Sequence, residues 1–149
     1  MNEVRGAVIL CDHLDQMQNG KWLIVGTYTR LMTKAEVVHF STGAKLYVRF
    51  QVEHTGAHAL ELLFIDRDQP SNSEPIMRIG VNVEVHAIDS PTEFSIVTQP
   101  FTISRPAGRS RDATVVSTFT WLAKVGDHEL ASCPLIIQFN PVEELLRPG

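Results

Sequence analysis

Residues 44–53, AKLYVRFQVE, set Ala44, Leu46, Val48, Phe50 and Val52 in alternation with Lys45, Tyr47, Arg49, Gln51 and Glu53. Successive side chains of an extended chain point to opposite faces, so a period of two makes this a strand with one buried and one wet face. The pattern recurs on both sides. After His54-Thr55-Gly56, residues 57–66 (AHALELLFID) carry Leu60, Leu62 and Phe64 on one face, and the glycine reads as a short reversal, so a hairpin is expected here. Met77, Ile79, Val81, Val83 and Val85 then alternate with Arg78, Gly80, Asn82, Glu84 and His86, a long amphipathic strand that Asp89-Ser90-Pro91 ends.

Toward the C-terminus, ATVVSTFTWLAKV and HELASCPLIIQF flank Gly126-Asp127, a turn pair that suits positive φ, and a second hairpin is expected. Toward the N-terminus, GAVILCDHL and KWLIVGTYTRL are separated by a polar turn ending in Asn19-Gly20, the strongest short hairpin signal in the chain. Residues 94–103 make a weaker strand because Pro100 interrupts them, and Pro134 likewise belongs at an edge or a bulge. No apolar set recurs at helical spacing for three turns; only TKAEVVH (33–39) and PVEELLRP (141–148) can each form one turn. The chain is expected to be all-β. Seven or eight amphipathic strands bury their apolar faces best as one antiparallel β-sandwich spanning 1–149, with a closed barrel as the alternative. Trp22 and Trp121 are expected in its core, and Tyr47, on a polar face, at its surface.

A length of 149 residues with 44% apolar and 20% charged content is that of a globular domain with a real core. The net charge of −4 gives no general attraction to phosphate backbones or anionic lipid, so neither nucleic acid nor membrane is expected as a partner. The apolar run near the N-terminus stops at Asp12, too short for a signal-peptide core or a span, and a cytoplasmic location is expected. Cys11 and Cys133 are then two small buried thiols, bridgeable only if the first and last strands are neighbours.

At 7–32, AVILCDHLDQMQNGKWLIVGTYTRLM, a strand ends in Leu10-Cys11-Asp12, a polar turn ends in Gly20-Lys21, and a second strand carries Ile24-x-Gly26. This stretch resembles the N-terminal signature of an uncharacterised bacterial β-sandwich family, a domain of unknown function. The resemblance continues through Lys45 to Glu53, the Gly56 turn and the late hairpin with Cys133-Pro134-Leu135-Ile136. It implies an immunoglobulin-like sandwich and brings no active-site residues with it.

Four groups of residues carry possible chemistry. Cys11, Asp12, His13 and Asp15 crowd within five positions, but on a strand Cys11 and His13 share a face that Asp12 does not, and no second ligand pair is spaced for zinc. Cys11 is therefore expected to be buried, Asp12 to accept backbone N–H groups where a turn begins, and His13 to lie exposed. His54 and His58 flank a three-residue loop that would set the two imidazoles opposite each other, which makes them the better metal candidates. Arg105, Arg109 and Arg111 surround Gly108 in SRPAGRSRD, a composition able to grip an anion or a partner protein, or to form a solvated loop. No serine lies in a Gly-x-Ser-x-Gly elbow, and no glycines form a phosphate or dinucleotide loop. The expectation is a protein that is not an enzyme and has no cofactor. It is read as an interaction or assembly module, self-associating through a strand edge near Pro134-Leu135-Ile136-Ile137; the alternative is a small-ligand or metal-binding sandwich.

Overall fold

The computed structural model describes residues 5–141. Its elements are β1 (Arg5–Gln16), β2 (Trp22–Thr27), β3 (Arg30–Thr33), β4 (Val37–Phe40), β5 (Lys45–Gln51), β6 (Gly56–Asp66), β7 (Met77–Val85), β8 (Thr92–Val97), β9 (Phe101–Ser104), β10 (Val115–Val125) and β11 (His128–Phe139). Eight of these have six residues or more and correspond to the expected amphipathic runs; β3, β4 and β9, four residues each, are too short to show a period. They form a four-stranded sheet in the order β2-β1-β5-β8, a five-stranded sheet β3-β11-β10-β6-β7 and a two-stranded ribbon β4-β9. The two larger sheets bury their apolar faces against each other as a β-sandwich, and no barrel closes. The segment 142–148, expected to form a turn of helix, lies outside the described residues.

The N-terminal hairpin forms as read, with Gly20 at φ 82 between β1 and β2. So does the C-terminal one, where Gly126 at φ 58 turns β10 into β11. The Gly56 hairpin does not. β5 pairs with β1 and β8, whereas β6 pairs with β7 and β10 in the other sheet. The reversal at residues 52–55 carries the chain from one sheet to the other, with Val52 buried in the core, so the two apolar faces meet across the sandwich instead of lying side by side. KWLIVGTYTRL also splits: β2 stays paired with β1 up to Thr27, past Gly26 at φ 69, and β3 then crosses to run parallel to β11. TKAEVVH forms a bend and β4, not a helical turn. Pro100 divides the weak strand into β8, at the edge of its sheet, and β9.

Two consecutive residues stitch the sheets together where β2 gives way to β3. Tyr28 N–H donates to the Leu10 carbonyl of β1 at 3.2 Å, and Ile136 N–H of β11 donates to the Thr29 carbonyl at 2.8 Å. The core lies between the sheets, with Leu46, Val48 and Phe50 facing Phe64, Trp121 and Leu135. Trp121 is fully buried and stacks on Phe64 at 4.6 Å. Its indole N–H has no hydrogen-bond partner among the described residues, a cost of about 1–3 kcal/mol that the burial of the ring must exceed. Trp22 is not in the core; it meets Tyr47 edge-on at 5.7 Å on the outer side of β5, and Tyr47 is thereby buried, not exposed.

A polar clasp fastens β8 to the turn before β5. Thr98 Oγ1 accepts from Ala44 N–H at 2.8 Å and donates to the Gln99 carbonyl at 3.0 Å, while Thr98 N–H donates to the Ala44 carbonyl at 2.9 Å. Gly43, at φ 77, sits against the Thr98 carbonyl so closely that a β-carbon there would collide with backbone. Gly20 has a similar φ and open space around it. Gly43→Ala is therefore expected to cost roughly 2–3 kcal/mol in urea unfolding and Gly20→Ala about 1 kcal/mol, since only the first adds a clash to the left-handed backbone. Equal losses would show that the clasp adds nothing to the strain at Gly43.

Candidate functional site

β1 runs unbroken through Cys11 and Asp12 to Gln16, so Asp12 begins no turn. Its carboxylate instead fills the space over Gly26, where a β-carbon would collide with it. The β1–β2 ladder matches Cys11 to Thr27 and His13 to Val25 but skips Asp12 and Gly26. The hairpin bends at this gap. Tyr47 lies opposite Ile9, and Trp22 opposite Gln16, seven residues further along β1. On a straight ladder that is about 23 Å, beyond the reach of two side chains in ring contact. The hairpin therefore folds back toward the outer face of β5, which explains how Cys11, on that face and outside the core cluster, is still buried.

The bend also collects titratable groups. Burial raises the Tyr28 hydroxyl to about 12, with the negative charge of Asp12 and then Cys11 and Cys133 adding to it. Burial raises the Cys11 thiol, Asp12 adding and Lys45 opposing; burial raises Cys133 too, against a hydrogen bond from the Leu10 backbone. Both cysteines are free thiols beside one tyrosine, so the first and last strands are indeed neighbours. An apolar-rich cleft of about 340 Å³ opens here, lined by Leu10, Thr27, Tyr28, Ser132, Cys133 and Pro134 among others.

Among the described residues no three His, Cys, Asp or Glu side chains group as metal ligands. His54 and His58 come together through a ring-to-backbone contact: His58 Nε2 donates to the His54 carbonyl at 2.8 Å, which fixes the ring and leaves Nδ1 free. The three arginines separate. Arg105 turns inward on its own loop, its guanidinium donating to the carbonyls of Ser110 and Ala113. Arg109 lines a polar cleft of about 650 Å³ that also holds Asp66 and Asp68. Arg111 stands exposed in the same loop. One guanidinium facing two carboxylates is a poor grip for an anion.

The strand edges offer more. The run Pro134 to Ile137 is no free edge from Ile136 onward, because β3 pairs there and Leu135 and Ile137 are fully buried. Pro134 itself lies just beyond the reach of β3, where a strand can spare an N–H. β7 is different. It closes the five-stranded sheet, runs nine residues and holds an unshifted register with β6 from Gly56↔Val85 to Phe64↔Met77. It carries no proline, no lysine and no bulge, three devices that often blunt an edge, and its two charges, Arg78 and Glu84, stand on the outer face. Its inward row, Met77, Ile79, Val81 and Val83, is only half-buried, whereas Trp121 and Ala123 of β10, level with Met77 and Ile79 across β6, are buried; Val125, level with Val81, is half-buried like it. Residue patterning finds this strand, but its place at the end of a sheet is set by pairing partners that pattern does not reveal.

A model for a family of unknown function, DUF6941, matches residues 6–138, which include every position of the Leu10-to-Gly26 signature. No curated protein and no solved structure matches the chain. Among the described residues no helix is long and apolar enough to cross a membrane.

The raised Tyr28 has a defined effect on stability. Its hydroxyl ionises near 10 in the unfolded chain and at about 12 in the folded one, so the stability it holds is intact below pH 10 and is lost as pH rises toward 12. Denaturant titrations across that window are expected to show the decline, and Tyr28→Phe to flatten part of it; an unchanged slope would place the loss elsewhere. Both thiols are expected to resist a disulfide reagent in the folded protein and to react at once in denaturant, because burial disfavours the thiolate.

Proposed function

The chain belongs to this family of unknown function, and from that premise we propose that it is a non-enzymatic interaction module that gains partners by adding strands to the free edges of its sandwich. One observation carries this reading: β7 presents nine residues of regular edge, free of proline and bulge, with a half-buried apolar row. An edge strand of this kind offers unpaired backbone N–H and C=O groups to an incoming strand, and alternate side chains on the inner face give the added strand something to cover. Exposed Leu23 and Val25 on β2, the edge strand of the other sheet, extend the same logic to a second surface. A cytoplasmic setting fits the two free, buried thiols, since an oxidising compartment favours disulfides.

Native mass spectrometry of the untagged protein, purified gently from its host, tests the reading. The expected result is a multimer or a stoichiometric protein complex. A bare monomer, or a monomer carrying a stoichiometric small molecule or metal, would overturn it and return attention to His54, His58 and the cleft at Tyr28.

A further inference from the structure

We infer that the partner of the β7 edge is a second copy of the same strand, paired antiparallel about a two-fold axis through Val81. This rests on the strand-addition reading above and names its occupant. The sequence of β7 is close to self-complementary in charge. An axis at Val81 sets Arg78 opposite Glu84 of the partner copy and, by symmetry, Glu84 opposite its Arg78. On the same outer face Gly80 meets Asn82, and on the inner face Met77 meets Val85, Ile79 meets Val83 and Val81 meets itself.

Other registers fail. Moving the axis to Gly80 sets Arg78 against Asn82, and moving it to Asn82 sets Glu84 against Gly80, so both lose the charge match. A shift of one residue brings the apolar row against the polar one, which the pleat forbids. Parallel pairing in register puts like charges side by side. Opposite charges directly across an antiparallel pair are favourable and like charges unfavourable, so the charges select both direction and register.

The outer face leaves room for the match. Arg78 has Glu61 at 3.2 Å and Glu74 at 3.8 Å, so its guanidinium already stands among carboxylates and is more than half exposed. No ion pair within the chain is seen for Glu84 among the described residues, and it lies exposed across from Ala57. Ile76 and Ile88, both about half exposed, flank the two ends of the strand, where the axis brings each toward the other's end of the partner strand. The assembly would be a continuous ten-stranded sheet, with the half-buried row Met77 to Val83 covered by its own image.

The test is a charge-swap cycle read by sedimentation equilibrium, with Glu84→Arg, Arg78→Glu and the double variant R78E/E84R. Glu84→Arg is the cleaner single change because it breaks no ion pair seen within the chain, and thermal melting of each variant checks that the fold survives. The expected result is a wild-type dimer, weakened about tenfold in Kd or more by either single change, since two symmetry-related attractions become repulsions, and recovered in the double variant. A dimer indifferent to all three would overturn the register. A chain that stays monomeric up to about 100 µM while forming a complex with another protein would overturn self-pairing and leave strand addition standing. A monomer with no partner at all would overturn both.

Discussion

Phe64 holds three aromatic neighbours at once, and the arrangement of the sheets follows from that contact set. It stacks on Trp121 at 4.6 Å and on Phe119 at 5.2 Å within its own sheet, and tilts against Phe101 at 5.6 Å. Phe101 in turn stacks on Phe40 at 4.5 Å, so a run of five rings ties the β4-β9 ribbon to the five-stranded sheet. A ribbon of two four-residue strands is marginal by itself. Its docking on Phe64 gives it a reason to exist, and with it the path by which the chain passes from one sheet to the other.

The strands were legible because alternation is local: each residue's face depends only on its neighbours. Val48 and Phe50 point inward, and Tyr47 outward, as the period of two demands. What covers an outward residue is not local. Tyr47 is buried because the hairpin tip returns to it from some twenty-five positions earlier in sequence, and nothing in AKLYVRFQVE records that return. The glycine-centred reversals show the same limit. Gly20 and Gly126 turn a strand back beside itself, while Gly56, also at positive φ, starts a strand in the opposite sheet. A turn signal gives a change of direction and leaves the partner open.

The candidate chemistry was legible as residue types and illegible as geometry. Cys11 and Asp12 sit at a bend and not at a strand end, and their neighbours there are Gly26, Tyr28 and Cys133, drawn from two other parts of the chain. The arginine cluster dissolves into one loop staple, one cleft residue and one solvated side chain because guanidinium groups compete for the nearest carbonyls and carboxylates. The β7 surface, by contrast, needed both sources: its charge order is readable from MRIGVNVEV, and its freedom to use that order comes only from the topology.

The parallel pairing of β3 with β11 sets an order in time. Arg30 and Gln138, which hydrogen-bond across that pair, are 108 residues apart in sequence. During synthesis β3 emerges early and has no strand to lie against until nearly the whole chain has followed. The stitch at Tyr28 and Thr29 must wait with it, because one of its two hydrogen bonds reaches Ile136. Contacts of such sequence separation pay their loop-closure entropy late and slow folding. The β10–β11 hairpin, made of adjacent residues, is the natural template, and the side of the sandwich between β1 and β11 is the last to shut.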